Sequence, residues 1–128
     1  MALPRPMTAA DASPSDPAAE LPLTSAVFHI LLALADGEKH GYAIMQEVKE
    51  ATEGATHLGP GTLYGSLDRM MKARYIAESE RRPSADEDDE RRRYYRLTSF
   101  GRQVLQAEAA RLARAVSHAR AKKIFASL

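Results

Sequence analysis

The sequence contains neither cysteine nor tryptophan in its 128 residues. Without cysteine the chain forms no disulfide bond, no thiolate zinc site and no cysteine nucleophile, a composition that fits a reducing cytoplasm. No apolar run approaches the roughly 18 residues that cross a bilayer, and the first residues lack the charged start and the continuous apolar segment of a signal peptide. We therefore expect a soluble, cytoplasmic protein that does not enter the membrane.

Patterns typical of catalysis and of metal binding are also missing. The histidines stand at positions 29, 40, 57 and 118, and no two of them have the spacing of zinc ligands. Residues 59–62 form a glycine-rich stretch, but the Gly-Lys-Ser/Thr ending of a phosphate-binding loop does not follow it. There is no serine elbow and no convincing pair of carboxylates. The sequence thus predicts no enzyme, no metal site and no cofactor.

Positive charge is concentrated in the second half of the chain, although the formal net charge is only +1. Residues 1–60 carry three basic and eight acidic side chains, whereas residues 97–128 carry six basic side chains and one acidic side chain. This uneven distribution suits a negatively charged partner such as nucleic acid.

The chain is expected to begin with a disordered tail and three helices. Residues 1–20 are rich in proline, alanine, serine and aspartate, so they have little apolar surface to offset the entropy of ordering. Apolar residues at helical spacing then predict helices over residues 24–35, 40–52 and 60–73. Proline suits the first turn of a helix, so the third helix is expected to begin at or next to Pro60.

The third predicted helix has two unlike faces. Its apolar stripe is formed by Leu63, Leu67, Met70 and Met71. Its opposite face is polar and cationic and consists of Thr62, Ser66, Arg69 and Lys72. The helix is therefore expected to pack on a core through one face and to present the other to a partner.

A hairpin and a long final helix are expected to follow. Residues 75–80 and 91–97 favour strands, and the polar segment between them includes five consecutive acidic residues at 86–90. The last helix is expected to run from residue 98 or 99 to about Phe125. Its apolar stripe consists of Leu105, Ala109, Leu112, Val116 and Ala119, and we expect this stripe to form the interface of a homodimer.

The order helix, helix, helix, hairpin, helix is that of a winged helix-turn-helix. The predicted fold class is mainly α with a small β-hairpin wing, followed by a C-terminal dimerisation helix. The predicted divisions are a tail over residues 1–20, a DNA-binding domain over residues 21–98 and a dimerisation helix over residues 99–128. In such a fold the third helix enters the major groove of DNA, which is wide enough to admit it.

Three motifs in this order resemble the PadR family of transcriptional regulators. They are ILLAL followed by HGYAI at residues 30–34 and 40–44, GPGTLY at residues 59–64, and RRYYRLT at residues 92–98, with Gly101 after it. The resemblance covers roughly residues 23–105 and implies a regulator, usually a repressor, that binds an inverted-repeat operator as a homodimer. The candidate DNA-binding residues are Tyr42, Gly61, Thr62, Tyr64, Ser66, Arg69, Lys72, Arg92 and Arg93. The chain departs from the family at Gly65, where proline is frequent, and at Arg74, where glycine often closes the third helix.

Two alternatives remain open at this stage. The chain could be a winged-helix module that binds another protein and not DNA, because a fold does not fix a function. It could also be a regulator that responds to a small molecule in a cavity lined by Phe28, Tyr42 or Phe100, although the lack of tryptophan excludes an indole-lined site for a flat ligand.

Overall fold

The structure, a computed structural model, describes residues 16–80 and 93–125. Four α-helices lie in these ranges: α1 (Ser25–Ala33), α2 (Gly41–Ala51), α3 (Pro60–Lys72) and α4 (Ser99–Ala121). They are accompanied by a short 3-10 helix (Pro17–Glu20) and three strands, β1 (Lys39–His40), β2 (Ile76–Glu78) and β3 (Tyr94–Leu97). The predicted fold class, mainly helical with a small sheet, is confirmed. Residues 1–15 of the predicted tail, the loop with its acidic run at 86–90, and Arg92 lie outside the described residues.

Side-chain caps fix where the helices begin. The Oγ1 atom of Thr24 accepts a hydrogen bond from the Val27 amide at 3.1 Å, and Oγ1 of Thr98 accepts one from the Gly101 amide at 2.9 Å. A threonine in this position satisfies an amide that has no partner within the helix, which stabilises the first turn by about 1 kcal/mol. Helices α1 and α4 therefore start where the sequence predicts, while α4 ends at Ala121, short of the predicted Phe125.

The apolar faces of all four helices meet in one core. Helix α1 contributes Ile30 and Leu31, and α2 contributes Ile44. The fully buried apolar residues of α3 and α4 are Leu63, Leu67, Met70 and Val104. Burying each of these side chains contributes about 1.5–3 kcal/mol relative to leaving it in water. The core thus lies behind α3 and holds that helix with its polar face outward. None of the described helices combines the length and the apolar character needed to cross a membrane.

The sheet is antiparallel, and β3 is its central strand. The order is β1-β3-β2, with Ile76 opposite Leu97 and Lys39 opposite Tyr95. The predicted hairpin strands are present, whereas β1 was not predicted because two residues are too few to show an alternating pattern. On β3, Tyr95 joins the core and Tyr94 is covered by the His40 ring, whose centroid is 5.4 Å away in an edge-on arrangement.

The junction between α3 and β2 has a compact geometry. Arg74 adopts a φ of +67°, and the amides of Arg74 and Tyr75 donate to the carbonyls of Met71 and Met70 at the end of α3, both at 3.0 Å. This is the left-handed helix end that glycine usually supplies.

Gly101 of α4 lies so close to Tyr75 that a Cβ there would stand 1.8 Å from the Tyr75 carbonyl oxygen. Only glycine fits at this crossing.

The segment before α1 is bound to the rest of the chain. Asp16 caps the 3-10 helix, the hydroxyl of Tyr75 donates to Oε1 of Glu20 at 2.6 Å, and the Leu23 amide donates to Oε2 of Glu108 at 2.8 Å. Burial raises the pKa of the Tyr75 hydroxyl, and its hydrogen bond to Glu20 adds to the shift. The prediction of a disordered tail therefore needs correction at residues 16–20, because composition alone does not reveal these long-range hydrogen bonds.

Candidate nucleic-acid interface

The outer face of α3 is an exposed polar surface. Gly61, Thr62, Tyr64, Arg69 and Lys72 are all exposed on this helix, while Leu63, Leu67 and Met70 on its other side are buried. The separation follows from the helical period of 3.6 residues, which places residues three or four apart on one face. The structure thus brings together the predicted residues of α3, with the exception of Ser66.

Ser66 does not reach solvent and corrects the prediction that it contacts DNA directly. It is only 2% exposed, and its hydroxyl accepts a hydrogen bond from Nη2 of Arg69 at 3.3 Å. Ser66 lies next to the buried Leu67, on the boundary between the polar face and the core. At this boundary, a small rotation of the helix about its axis determines whether a side chain is buried or exposed. Sequence spacing alone cannot resolve a difference of that size.

The first turn of α3 has free capacity for an anion. Its N-cap is Gly59, which offers no side chain to the amides of the turn, and Pro60 follows directly. The amides of Gly61 and Thr62 lie in this turn, where the helix dipole favours negative charge. A phosphate oxygen is an appropriate ligand for such a helix end.

Two tyrosines extend the polar face towards α2. Tyr42, the second residue of α2, is 61% exposed, and Tyr64 of α3 is 41% exposed. The Tyr64 ring rests on Gly41, since a Cβ on that glycine would stand 2.5 Å from the Tyr64 hydroxyl oxygen. Tyr64 also lies near Tyr95 of β3: burial raises the pKa of the Tyr95 hydroxyl, and Tyr64 is the next contributor to that shift. The N-termini of α2 and α3 therefore form one continuous surface.

The wing contributes one described candidate, Arg93. It is exposed at the start of β3, and its Nε lies 4.0 Å from a carboxylate oxygen of Glu78 on β2. An exposed pair at this distance contributes little to stability, so the Arg93 guanidinium is available to a stronger anion. Arg96 is also exposed on β3 and was not among the predicted site residues. Its alternation with the buried Tyr95 is the signal that would have identified it.

The proposed dimer stripe on α4 is divided between two environments. Leu105 is 6% exposed and belongs to the core of its own chain, which corrects its assignment to the dimer interface. Of the other stripe residues, Ala109 and Val116 are exposed and Leu112 and Ala119 are half-buried. The four outer stripe residues (Ala109, Leu112, Val116 and Ala119) thus remain available to a second chain.

An ion pair between a buried carboxylate and a partly exposed arginine lies where the two environments meet. Glu108 is almost fully buried, and its Oε1 accepts a hydrogen bond from Nε of Arg111 at 2.5 Å, with a second bond from Nη2 of Arg111 to Oε2 at 3.1 Å. The hydrogen bond from Arg111 is the main reason why the pKa of Glu108 lies below its ordinary value. Spacing alone does not reveal this role, because an Arg three residues after a Glu is common on exposed helices.

A cavity of about 310 Å³ lies between α1 and α4. Its apolar wall includes Phe28, Leu23 and Leu112, and its polar residues include His29, Glu108 and Arg111. The Nδ1 atom of His29 is buried and has no hydrogen-bond partner among the described residues. Phe28 therefore lines a cavity as the sequence suggested, whereas Tyr42 and Phe100 do not line this one.

The chain resembles known proteins both in sequence and in fold. The profile of the transcriptional regulator PadR-like family matches residues 30–107. An uncharacterized 37.1 kDa protein of transposon TN4556 from Streptomyces fradiae is 40% identical over 85 residues, which cover 66% of this chain and 22% of that protein. The chain thus spans about a fifth of that relative's length.

Two solved structures share the fold. RosR of H. salinarum is 26% identical with a TM-score of 0.57, and the similarity covers 77% of this chain and 79% of that one. Bacillus subtilis PadR in complex with operator DNA is 24% identical with a TM-score of 0.56, over 66% of this chain and 46% of that one.

Proposed function

Because this chain belongs to the PadR-like family of transcriptional regulators, which are not enzymes, we propose that it acts as a repressor. In this proposal it binds an inverted-repeat operator as a homodimer in the cytoplasm. The observation that carries the proposal is the exposed polar and cationic face of α3, held outward by an apolar face that is buried in the core. The operator-bound relative supports this interpretation, since a chain of the same fold is found on DNA.

The exposed face of α3 provides contacts of two kinds. Arg69 donates paired hydrogen bonds to O6 and N7 of a guanine in the major groove, which specifies sequence. Thr62, Lys72 and the amide of Gly61 bind phosphate oxygens, which fixes the register of the protein on the duplex. Tyr42 and Tyr64 add hydroxyl donors beside the same groove, and Arg93 binds the DNA backbone from the wing. Arg92, the other wing candidate, lies outside the described residues.

Dimerisation through α4 would place two such faces on one operator. The 23 residues of α4 span about 35 Å at 1.5 Å per residue, and the half beyond Glu108 has no buried residue. Packing the outer stripe residues against their copies repeats the same contacts on both chains, as two-fold symmetry requires. The small Ala109 and Ala119 allow the helices to approach closely. A two-fold dimer then reads two half-sites about one turn of DNA apart.

The test compares Arg69→Ala with Arg114→Ala on the DNA upstream of the chain's own gene. Both variants lose one exposed cation, but Arg114 lies on α4 and away from α3. We expect Arg69→Ala to weaken specific binding by about 1–3 kcal/mol and Arg114→Ala to change it little. Equal affinity of Arg69→Ala and wild type would remove Arg69 from the interface. A complete lack of DNA binding by the wild type would instead favour the protein-binding module.

A small-molecule effector is supported by one separate observation, the cavity between α1 and α4. Its apolar wall suits an uncharged ring or aliphatic body, and the unpartnered Nδ1 of His29 suits a hydroxyl donor on that body. Small phenols and cyclic alcohols are the probes of choice. We expect them to raise the melting temperature of the wild type more than that of His29→Phe, which keeps a ring of similar size and removes the acceptor. Identical shifts for both proteins would exclude Nδ1 of His29 as the acceptor, and the absence of any shift in the wild type would exclude this cavity as a site for these probes.

A further inference from the structure

The buried position of Ser66 leaves its hydroxyl with a role other than direct DNA contact. That hydroxyl accepts a hydrogen bond from Nη2 of Arg69 at 3.3 Å, and the two residues are three positions apart on α3. Ser66 is held by the core around it, since its neighbours Leu63, Leu67 and Met70 are all buried. The Ser66 hydroxyl is therefore a fixed acceptor that restrains the guanidinium end of the long and otherwise flexible Arg69 side chain.

Gly65 provides the space in which the Arg69 guanidinium lies. If Gly65 had a Cβ, that atom would be 3.6 Å from Nη1 of Arg69, which is ordinary van der Waals contact. The Arg69 side chain is thus folded back along α3 towards the helix N-terminus, the direction that long side chains on helices prefer. A side chain larger than alanine at position 65 would occupy the same space.

We propose that Ser66 is a positioning residue for Arg69, and that Gly65 leaves the room this position requires, so that the two residues determine base specificity through Arg69. The inference rests on the proposed function, in which Arg69 reads a base. Neither Ser66 nor Gly65 touches DNA in this arrangement. Both act through the guanidinium.

The folded arrangement moves the positive charge to where bases are read. Arg69 is in the later part of α3, but its guanidinium lies beside Gly65, one turn closer to the N-terminus. The N-terminal part of a recognition helix is the part that approaches base edges. A guanidinium has five N–H donors, and only one of them is used by Ser66, so two parallel donors remain for O6 and N7 of guanine.

Holding the guanidinium before DNA arrives also favours one base over the others. A free arginine adapts its position to phosphates as well as to bases, whereas a fixed one meets its acceptors only where guanine presents them. Loss of the Ser66 hydroxyl should therefore reduce discrimination between bases more than it reduces general affinity. If Ser66 only filled space in the core, its loss would destabilise the helix. Affinity would then fall equally for all DNA sequences, and the preference between bases would not change.

The experiment measures binding of the full chain to its operator and to a set of operators with each base pair substituted in turn. We expect Arg69→Ala to lower the preference at one position of each half-site by about ten- to a hundredfold. Ser66→Ala should lower the preference at that same position by about three- to tenfold, with unchanged binding to random DNA. The double variant should match Arg69→Ala alone, since Ser66 acts only through Arg69.

Two variants at position 65 provide an independent arm. Gly65→Leu fills the space of the guanidinium and should reproduce the loss seen in Ser66→Ala. Gly65→Ala makes only ordinary contact and should leave the preference in place. Thermal unfolding of each variant checks that the fold is retained, and Gly65→Leu decides the matter if Ser66→Ala does not fold.

The outcomes separate the inference from the function on which it rests. If Arg69→Ala removes the preference at one position while Ser66→Ala and Gly65→Leu preserve it, the positioning role is wrong and the reading role of Arg69 stands. If Ser66→Ala weakens all sequences equally, Ser66 is structural and the inference fails. If Arg69→Ala changes no preference in a protein that still binds its operator, the reading role and the inference fail together.

Discussion

The two halves of α4 share one secondary structure but have opposite surroundings. In the first half, Gly101, Val104, Leu105 and Glu108 are buried against the rest of the chain. In the second half, no described residue after Glu108 is buried. An isolated helical segment of this length is marginal in water, because most helical stability in proteins comes from packing. The first half thus sets the direction of the helix by packing on the core, while the second half has no comparable packing among the described residues.

Gly101→Ala should have the largest effect, because it disrupts the buried half. Its Cβ would meet the carbonyl oxygen of Tyr75, a backbone atom that cannot turn aside. We expect the free energy of unfolding, measured in urea, to fall by about 3 kcal/mol or more. Gly61→Ala is the matched control, since a Cβ at that position would meet no other part of the described chain within 4 Å. Equal stability of the two variants would contradict the close crossing of α4 and Tyr75.

Leu112→Asp tests the exposed half. A carboxylate in the stripe cannot be buried between two helices without a partner, so we expect a monomer by light scattering. Without simultaneous binding to both half-sites, operator affinity should fall by about a hundredfold or more. Ala113→Asp introduces the same charge at an exposed position beside the stripe and should remain dimeric. A dimeric Leu112→Asp protein would show that the outer stripe residues are not the interface.

Glu108→Gln acts at the boundary between the halves and should have a moderate effect. It weakens the hydrogen bonds to Arg111 and Leu23, which should lower the free energy of unfolding by about 1–3 kcal/mol at neutral pH. The pKa of Glu108 is lower in the folded state than its ordinary value of 4.5. The stability that its carboxylate contributes is therefore complete above that value and is lost as the pH falls through the folded pKa.

The pH dependence separates this residue from other carboxylates. Between about pH 7 and about pH 3, the free energy of unfolding of the wild type should decrease more than that of Glu108→Gln. Glu50→Gln, an exposed substitution on α2, should follow the wild type. If the Glu108→Gln and wild-type curves run parallel, Glu108 contributes no pH-dependent stability.

Truncation at the N-terminus should have the smallest effect. It tests the 3-10 helix, which packs against α4. The 3-10 helix packs on α4, and Glu20 accepts the hydrogen bond from Tyr75. We expect removal of residues 1–15 to leave the melting temperature nearly unchanged, because their composition has no patterned apolar face. Removal of residues 1–20 should lower it by about 4 °C, the effect of losing one hydrogen bond. Equal melting temperatures for the two truncated proteins would mean that the segment contributes nothing.

Features that depend on nearby residues could be predicted from the sequence, whereas features that depend on residues far along the chain could not. The helices were placed to within a few residues because caps such as Thr24 and Thr98 and the apolar stripes are local features. The two-residue strand β1 was missed, since it exists only through its pairing with β3. The 3-10 helix was missed for the same reason, as its hydrogen-bond partner Tyr75 lies far along the chain.

The candidate site shows the same limit at the scale of one residue. Helical spacing correctly placed Thr62, Arg69 and Lys72 on an exposed face, but it also placed Ser66 there and Leu105 on the dimer stripe. Both errors lie where a stripe meets the core, so exposure depends on how closely a neighbouring element approaches. That distance is a tertiary quantity, and no periodicity encodes it.

Strand β1 has a mechanical consequence for DNA binding. Its last residue, His40, pairs with Tyr94 of the wing strand and also caps α2, since its Nδ1 accepts a hydrogen bond from the Ala43 amide at 3.3 Å. One residue is thus the joint between the wing and the helix-turn-helix, with no intervening linker to absorb movement. A displacement of β3 would therefore also displace the first turn of α2. Gly41 lies in that turn, and the Tyr64 ring packs against Gly41, so both would move with it. In the proposed complex, the wing and the helices therefore approach the duplex as one rigid unit.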